Sequence, residues 1–384
     1  MQYQKKKSFS KIEGILMLVI LASYSYMGAN IRAGLNSLMI AFIGFHILLN
    51  FHAVKKKGFY SNISWLCILI TIYLYQNNDI KQGYYGRFLY FSCAICFLSF
   101  MTYTEKWIPT TIYIIKYVGI MMSLFALFKF LDGDKINDGN ILVWSIALLG
   151  IGITELLFER KKIFPLIEVI MAITTIFVSG KRGPFLFMSI AVIAIIYIFS
   201  KKEIGRKGTL INMTFIFIVS LLGIFLIDNI EIILRLSQDY DFTSGRILLY
   251  DRAVRLFKEN MIFGSGWGGF RSVYKFRDIV GYYEVHNIYL QMLCEVGVIG
   301  SLIFIIYFLR NLKLTYKAIS GCGEEWKKYV YFALFGQIYF VLYGMTGNPL
   351  YDFWIYLYAV SGGCGLSLYT VSKEKKKRKW LYKN

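Results

Sequence analysis

Residues 243–300 carry the side chains with the clearest chemical potential. Arg246 stands near the start of this segment, and His286 stands where its polar part gives way to an apolar run. An arginine guanidinium can bind two phosphate oxygens at once, because its N–H groups form a planar fork. A neutral imidazole can accept a proton near pH 7. The pair therefore predicts an anion-binding site beside a general base.

A surface helix is predicted to position the arginines of this segment. Residues 246–259 place four apolar side chains on one stripe: Ile247, Tyr250, Val254 and Phe257. Arg252 and Arg255 fall on another face, which is typical of a helix that lies on a membrane with its apolar side down. These two arginines are either solvated or ligand-binding, whereas Arg246, in the first turn, is the stronger candidate.

Four glycines follow in the sequence FGSGWGGF: Gly264, Gly266, Gly268 and Gly269. Glycines let a backbone approach a phosphate closely, but a nucleotide-binding loop also needs a preceding strand and a βαβ unit. The sequence predicts neither. We interpret the stretch as a tight, ordered turn, with a direct ligand contact as the alternative.

His286 is predicted to open a membrane helix. Four residues return to its face at 100° per residue: Leu290, Leu293, Gly297 and Gly300. Small residues let membrane helices approach closely, so the glycines predict a firmly packed helix with the histidine at its outer end. A lone histidine is more often structural than catalytic, and that alternative stays open for His286.

The composition indicates what holds these residues. Of the 384 residues, 57% are hydrophobic and 17% are charged, whereas soluble domains carry about 25% charged residues. A membrane-spanning helix needs about 20 apolar residues, and we expect an all-α polytopic membrane protein with about 12 such helices. Their approximate ranges are 13–28, 35–52, 61–77, 86–103, 108–131, 140–158, 163–179, 184–200, 209–228, 286–309, 328–347 and 351–371.

Basic residues predict the orientation. An even number of spans puts both termini on one side, and cytoplasmic termini put a majority of the 43 Lys and Arg residues on that face. This distribution explains the net charge of +20 without a nucleic-acid partner. The predicted units are an N-terminal membrane bundle (1–228), a large extracytoplasmic loop (229–285), C-terminal membrane helices (286–372) and a basic cytoplasmic tail (373–384).

A second basic stretch, SGKRGP at residues 179–184, forms a short outer loop in this topology. The positive-inside rule disfavours cations on that side. Lys181 and Arg182 are therefore candidates for binding an anion, with a turn that is basic by chance as the alternative.

Four further charges fall within predicted spans, where ionisable residues are functional hypotheses by default: Lys116, Glu155, Glu168 and Glu295. Glu295 is predicted to lie on the helix face opposite His286, which argues against a direct partnership between them. A pair between Glu295 and Lys116 is one option that the sequence leaves open. No metal site and no disulfide framework are predicted from the six cysteines.

These motifs resemble those of the O-antigen polymerase and O-antigen ligase superfamily of bacterial polysaccharide assembly, which includes the Wzy-type repeat-unit polymerases. The resemblance rests on the upstream SGR, on FGSGWGGF, on SGKRG, and on HN-x9-G-xx-G, which comprises His286, Asn287, Gly297 and Gly300. The predicted architecture, with one large outer loop near the C-terminal third, is also similar to that family.

The resemblance implies glycan transfer from undecaprenyl pyrophosphate on the outer face of the bacterial cell membrane, without cofactor or metal. Arg182 and Arg246 match the arginines that hold the pyrophosphate, with Lys181 beside them. His286 matches the residue that activates the acceptor hydroxyl, and direct displacement would invert the anomeric centre. Secondary candidates are Arg252, Arg255, Asn287 and Glu295.

The implied partners are an undecaprenyl-pyrophosphate-linked oligosaccharide and the lipid bilayer, with a chain-length regulator and a flippase as further candidates. The composition, rich in Lys, Ile and Tyr, favours a polymerase of capsule, exopolysaccharide or O-antigen repeat units. A ligase-type glycan transferase is one alternative and a flippase for lipid-linked sugars is another. Flippases commonly show internal repeats and broken midplane helices, and no clear repeat is visible in this sequence.

Overall fold

A computed structural model describes residues 105–133, 139–205, 246–272, 284–350 and 352–381, with positions 91, 94, 95, 98, 101, 102, 208, 275, 276, 279 and 280. Several predicted spans lie outside the described residues: 13–28, 35–52, 61–77, 209–228 and most of 86–103. The total of about 12 spans therefore stays a prediction.

The first described half of the chain forms four consecutive helices: α1 (Ile108–Leu131), α2 (Gly139–Phe158), α3 (Ile163–Val178) and α4 (Arg182–Phe199). A π-helical turn, Ser200–Ile204, extends α4. These bounds agree within two residues with the spans predicted near 108–131, 140–158, 163–179 and 184–200. Continuous apolar runs bounded by charged or glycine-containing turns are enough to predict them.

The second half contains α5 (Arg246–Glu259), the single turn α6 (Gly269–Ser272), α7 (Ile288–Ala318), α8 (Glu324–Tyr343) and α9 (Trp354–Leu381). Between α6 and α7, strands β1 (Lys275–Phe276) and β2 (Ile279–Val280) pair antiparallel. The described part of the chain is helical apart from this two-stranded ribbon.

Four helices are long and apolar enough to cross a membrane: α1, residues Ile141–Phe158 of α2, α4 with its π turn, and α7. Helix α3 is apolar but shorter. Helices α8 and α9, which the sequence predicts as spans, are not in this group. Tyr, Gln and the charged residues of its first turn lower the hydropathy of α8, and Tyr, Gly and Ser lower that of α9.

Helix α8 lies inside the bundle, which explains its composition. It packs against α9, α4, α2 and α7, and its residues Tyr331, Phe335 and Tyr339 are fully buried. A Cβ added at Gly336 would lie 2.7 Å from Cβ of Ser361 on α9. The helix is therefore surrounded by other helices on several sides.

One buried charge cluster joins three helices. Nζ of Lys116 on α1 lies 2.6 Å from Oε2 of Glu155 on α2 and 2.7 Å from Oε1 of Glu168 on α3. A charge within an apolar bundle needs such partners. The suggested pair between Lys116 and Glu295 is therefore wrong. Glu295 is fully buried elsewhere and accepts a hydrogen bond from Nε2 of Gln291 at 3.0 Å.

Replacing Lys116 by Met should destabilise the protein by about 3–5 kcal/mol, because two buried carboxylates lose their shared counter-charge. Adding Glu155→Gln and Glu168→Gln should restore most of that loss. The measurement is thermal unfolding in detergent, with Lys129→Met, an exposed lysine on the same helix, as control. A Lys116→Met protein as stable as this control would show that the cluster does not support the fold.

Helix α7 is interrupted at Gly297, and this contradicts the predicted continuous face. Gly297 has φ 65° and ψ −170°, so the residues beyond it do not continue the face of Leu290 and Leu293. Sequence periodicity carries no information about a single left-handed residue. Gly297 therefore does not act as a helix–helix contact, and its close neighbour is the glycine-rich turn.

Residues 261–266 fill the break in α7. Four backbone hydrogen bonds join the two segments, namely Ser265 N to Cys294 O (2.9 Å), Gly266 N to Glu295 O (2.8 Å), Val298 N to Met261 O (2.9 Å) and Ile299 N to Ile262 O (3.3 Å). Trp267 then stacks on Phe304 with ring centroids 5.7 Å apart. The turn is thus built into the membrane helix.

Glycine is required on both sides of this junction. A Cβ at Gly264 (φ 76°) would lie 2.4 Å from the carbonyl carbon of Glu295, and one at Gly297 would lie 2.3 Å from the carbonyl oxygen of Ile262. Gly266 and Gly268 also have positive φ angles, of 95° and 81°. The turn predicted from the four glycines has this conformational basis.

Gly264→Ala and Gly297→Ala should each destabilise the protein more than Gly133→Ala does. Gly133 also has a positive φ, of 84°, but a Cβ there meets nothing within 4 Å. The Gly133→Ala variant therefore measures the cost of backbone strain alone, about 1–2 kcal/mol. Overlap with backbone atoms should add about 1–3 kcal/mol at the junction. Thermal unfolding compares the three variants, and equal losses in all three would contradict the fitted junction.

Candidate functional site

His286 lies just before α7 rather than within it. Asn287 is the N-cap, and its Oδ1 accepts hydrogen bonds from the backbone N–H groups of Tyr289 (3.0 Å) and Leu290 (3.1 Å). His286 itself has φ 54°, in the left-handed region where His is tolerated better than most residues. The preceding Val285 is fully buried. The histidine is therefore held between a buried residue and a capped helix start.

Arg246 opens α5 and donates a hydrogen bond from Nη1 to the carbonyl oxygen of Thr346 at 3.1 Å. Helix α5 packs on α7 through Leu249, Ala253 and Leu256, all buried. The predicted apolar stripe overlaps this face in part, because its Tyr250 and Phe257 pack against the same buried cluster. On that stripe Ile247 remains 55% exposed, so α5 has one apolar face on the protein and a second one turned outward.

Arg182 and Lys181 lie at the start of α4. Lys181 is the N-cap residue and Arg182 the first helical residue, and both side chains are half-buried. A Cβ added at Gly183 would lie 2.8 Å from Oγ1 of Thr346. The first turn of α4 therefore touches the residue whose carbonyl oxygen binds Arg246.

The loop of residues 344–350, between α8 and α9, is the element common to all three helix starts. Besides its contacts with α4 and α5 at Thr346, it binds α7, because the backbone N–H of Ile288 donates to the carbonyl oxygen of Gly344 at 2.8 Å. Asn348 donates from Nδ2 to Oε2 of Glu284 at 2.9 Å. The loop thus ties the starts of α4, α5 and α7 to one place.

Charge and desolvation act together on His286. Its side chain is exposed at the surface, yet desolvation by the surrounding protein atoms lowers its pKa, and the positive charge of Arg246 lowers it further. Glu284 acts in the opposite direction. The net pKa is below 6.5, so the imidazole is neutral at pH 7 and can accept a proton.

Of the secondary candidates, Asn287 belongs to this arrangement as the N-cap of α7, whereas Arg252, Arg255 and Glu295 lie outside it. Arg255 is exposed and Arg252 half-buried, and neither side chain has a hydrogen bond or ion pair with another described residue. Asn287 caps α7, and Glu295 lies at the break in α7. Gly300 packs against Val296 of its own helix. Among the described residues no three His, Cys, Asp or Glu side chains form a group that could hold a metal, and metal independence stays a prediction.

Sequence reasoning missed the loop 344–350 and Glu284. The predicted span 328–347 runs four residues past the end of α8 at Tyr343. The signal was present in GMTGNP, because Gly and the Asn-Pro pair commonly mark a turn. Glu284 lies two residues before His286, but no motif in the sequence marks it as part of a site.

Several described helices are apolar and long enough to cross a membrane, and the helix starts that carry Arg182, Arg246 and His286 meet at one loop. These features define a multi-pass membrane protein with a candidate anion-binding site. The O-antigen ligase family model matches residues 167–305, a segment that contains Arg182, Arg246 and His286. Over these residues the match confirms the resemblance to the O-antigen ligase and polymerase superfamily that the motifs predicted. An uncharacterized protein of Haemophilus influenzae is 24% identical over 341 residues, covering 78% of this chain and 83% of that protein.

Removing the charge of Arg246 should raise the pKa of His286. In the wild type the imidazole should titrate below 6.5, and Arg246→Gln should shift the titration upward, because the imidazolium loses a repelling neighbour. NMR of the histidine ring carbons reports this, with His46 and His52 replaced by Gln. Lys258→Gln, an equal charge loss at the exposed end of α5, is the control and should leave the pKa unchanged. A wild-type pKa above 6.5 would contradict the geometry.

Proposed function

We propose that this protein polymerises polysaccharide repeat units at the outer face of the bacterial cell membrane. In this proposal it transfers the growing glycan from undecaprenyl pyrophosphate to a hydroxyl group of the next lipid-linked repeat unit. The superfamily supports glycan transfer of this general kind. The observation that carries the proposal is the meeting of the starts of α4, α5 and α7 at loop 344–350.

The arginines supply the anion-binding part of the site. As the glycosidic bond breaks, negative charge develops on the departing pyrophosphate, and guanidinium groups stabilise it best when they are already in place. The bond from Arg246 to the carbonyl oxygen of Thr346 leaves other N–H groups of the guanidinium for phosphate oxygens. Arg182 and Lys181 stand at the start of α4, where the helix dipole adds positive potential.

His286 is the proposed general base. The acceptor hydroxyl oxygen forms a bond to the anomeric carbon, its proton passes to the imidazole, and the bond to undecaprenyl pyrophosphate breaks. The lowered pKa keeps the imidazole unprotonated at pH 7. Attack from the side opposite the leaving group would invert the anomeric centre. Nothing in this scheme requires a metal or a further cofactor.

A ligase reaction is the second candidate, because the matching family model is described as O-antigen ligase. Polymerase and ligase use the same donor and differ in the acceptor. The acceptor is a second lipid-linked repeat unit in one case and another membrane molecule in the other. Our preference for the polymerase rests on composition, because the catalytic arrangement suits either acceptor.

Reconstitution in liposomes with one defined undecaprenyl-pyrophosphate oligosaccharide tests the proposal. The wild type should produce longer glycans and release the lipid pyrophosphate. His286→Ala should lower the rate about 10²–10⁴-fold and Arg246→Gln about 10²–10³-fold. Lys258→Gln should stay within a factor of about two, since surface positions away from a site are usually neutral.

The outcomes separate the candidates. Release of pyrophosphate that requires an added non-repeat acceptor would favour the ligase, and movement of the lipid across the membrane without glycan growth would favour a flippase. In cells, a deletion strain should retain single repeat units on the carrier and lose long chains. Full activity of correctly inserted His286→Ala protein would remove the proposed base.

A further inference from the structure

A cationic cavity lies at the opposite end of the bundle from the candidate site. It has a volume of about 350 Å³, and its lining residues come from α7, α9 and the turns that follow α4 and α7: Lys202, Tyr316, Lys317, Ser320, Tyr369, Ser372 and Lys373. None of its lysines forms an ion pair with another described residue. The described residues that line the cavity offer ammonium and hydroxyl donors but no carboxylate, which suits a phosphate group.

An apolar groove adjoins this cavity. The groove has a volume of about 430 Å³ and is lined mainly by aliphatic side chains of α4, α7 and α8: Ile198, Leu309, Leu312, Leu334 and Ile338. Tyr316 lines both the cavity and the groove. A basic compartment therefore continues into a hydrocarbon-lined one, which matches the two chemical halves of a phospholipid.

The π-helical turn after α4 presents Lys202 to the cavity. Nζ of Lys202 lies 4.9 Å from the centre of the Tyr316 ring on α7. The next residue, Glu203, is held by α8, with Lys327 Nζ at 2.6 Å and the Tyr331 hydroxyl at 3.3 Å. Lys327, whose Nζ also lies 2.8 Å from Oε1 of the exposed Glu324, offsets part of the charge of Glu203 and holds that carboxylate toward α8.

The position of the cavity also fits a membrane surface. Arg182–Ile204 has 23 residues and would span about 35 Å at 1.5 Å per residue, close to the thickness of a bilayer core. Arg182 begins that segment and Lys202 lies in its last turn, so the two cationic regions stand at opposite ends of a membrane-length helix. Basic pockets between membrane helices on the cytoplasmic side commonly hold anionic lipid head groups.

We propose that the Lys202, Lys317 and Lys373 cavity and its adjoining groove form a binding site for an anionic phospholipid. The lysines and serines bind the phosphate, and one acyl chain lies in the groove between α4, α7 and α8. This site is separate from the proposed glycan-transfer site and does not depend on it. A bound lipid would connect the C-terminal helix α9 with α4 and α7 at this end of the bundle.

Lipid retention by the purified full-length protein tests the proposal. After delipidation and incubation with dioleoyl phosphatidylglycerol or dioleoyl phosphatidylcholine, native mass spectrometry measures the bound lipid. We expect at least about fivefold preference for phosphatidylglycerol, and its loss in the variant Lys202→Gln, Lys317→Gln, Lys373→Gln, because each lysine near a head group contributes separately. The control is Arg160→Gln, Lys161→Gln, Lys201→Gln, which removes the same charge from nearby exposed positions and should keep the preference.

Two further arms identify the ligand. Leu309→Trp should fill the groove from an exposed position and weaken phosphatidylglycerol binding at least about threefold, because the acyl chain loses its apolar surface. Excess inorganic phosphate should displace little of the lipid. Four outcomes would each overturn the phospholipid site. They are equal retention of both lipids, an equal loss of binding in the control variant, unchanged binding in Leu309→Trp, and full displacement of the lipid by phosphate.

Discussion

The break in α7 imposes the constraint on which the candidate site depends. At Gly297 the helix cannot satisfy its own peptide groups, and in an apolar bundle unsatisfied N–H and C=O groups are strongly unfavourable. Residues 261–266 satisfy four of them through backbone hydrogen bonds. The segment that leads from α5 to α7 is thereby fixed to the bundle, and Arg246 and His286 are held relative to one another through α7.

Main-chain atoms do most of the positioning at the site. The carbonyl oxygens of Gly344 and Thr346 bind the starts of α7 and α5, and the close approach of α4 requires a glycine at position 183. This arrangement leaves the side chains of Arg246 and His286 available for a ligand. It also explains why the loop 344–350 carries no distinctive chemical residues, although three helices depend on it.

The sequence predicted the elements better than their junctions. Helix 246–259 and the spans of α1 to α4 follow from local periodicity and apolar content, which are properties of consecutive residues. The break at Gly297 could not be predicted in this way, because HN-x9-G-xx-G is compatible with an unbroken helix. The partners of Lys116 and the buried face of α5 were also inaccessible, since they depend on packing between distant segments.

The three residues predicted from motifs, Arg182, Arg246 and His286, do lie on elements that meet at one loop. Their chemical roles remain predictions that the proposed variants address. Glu284 and Asn348 show what motif reasoning omits, because a carboxylate that influences a histidine through space has no fixed sequence spacing. Their contact with each other depends on the loop between α8 and α9 lying beside the start of α7.

If α5 lies on the membrane surface as the sequence predicts, its outward apolar face sets the depth of Arg246 in the bilayer. Ile247 and Leu248 follow Arg246 directly and are 55% and 53% exposed, and amphipathic helices settle with such faces about 5–10 Å into the boundary between head groups and acyl chains. The guanidinium group is then level with the phosphates of the surrounding lipids. In the proposed function, a polyprenyl carrier then presents its phosphates at that height by lateral diffusion, while its long tail stays in the hydrocarbon.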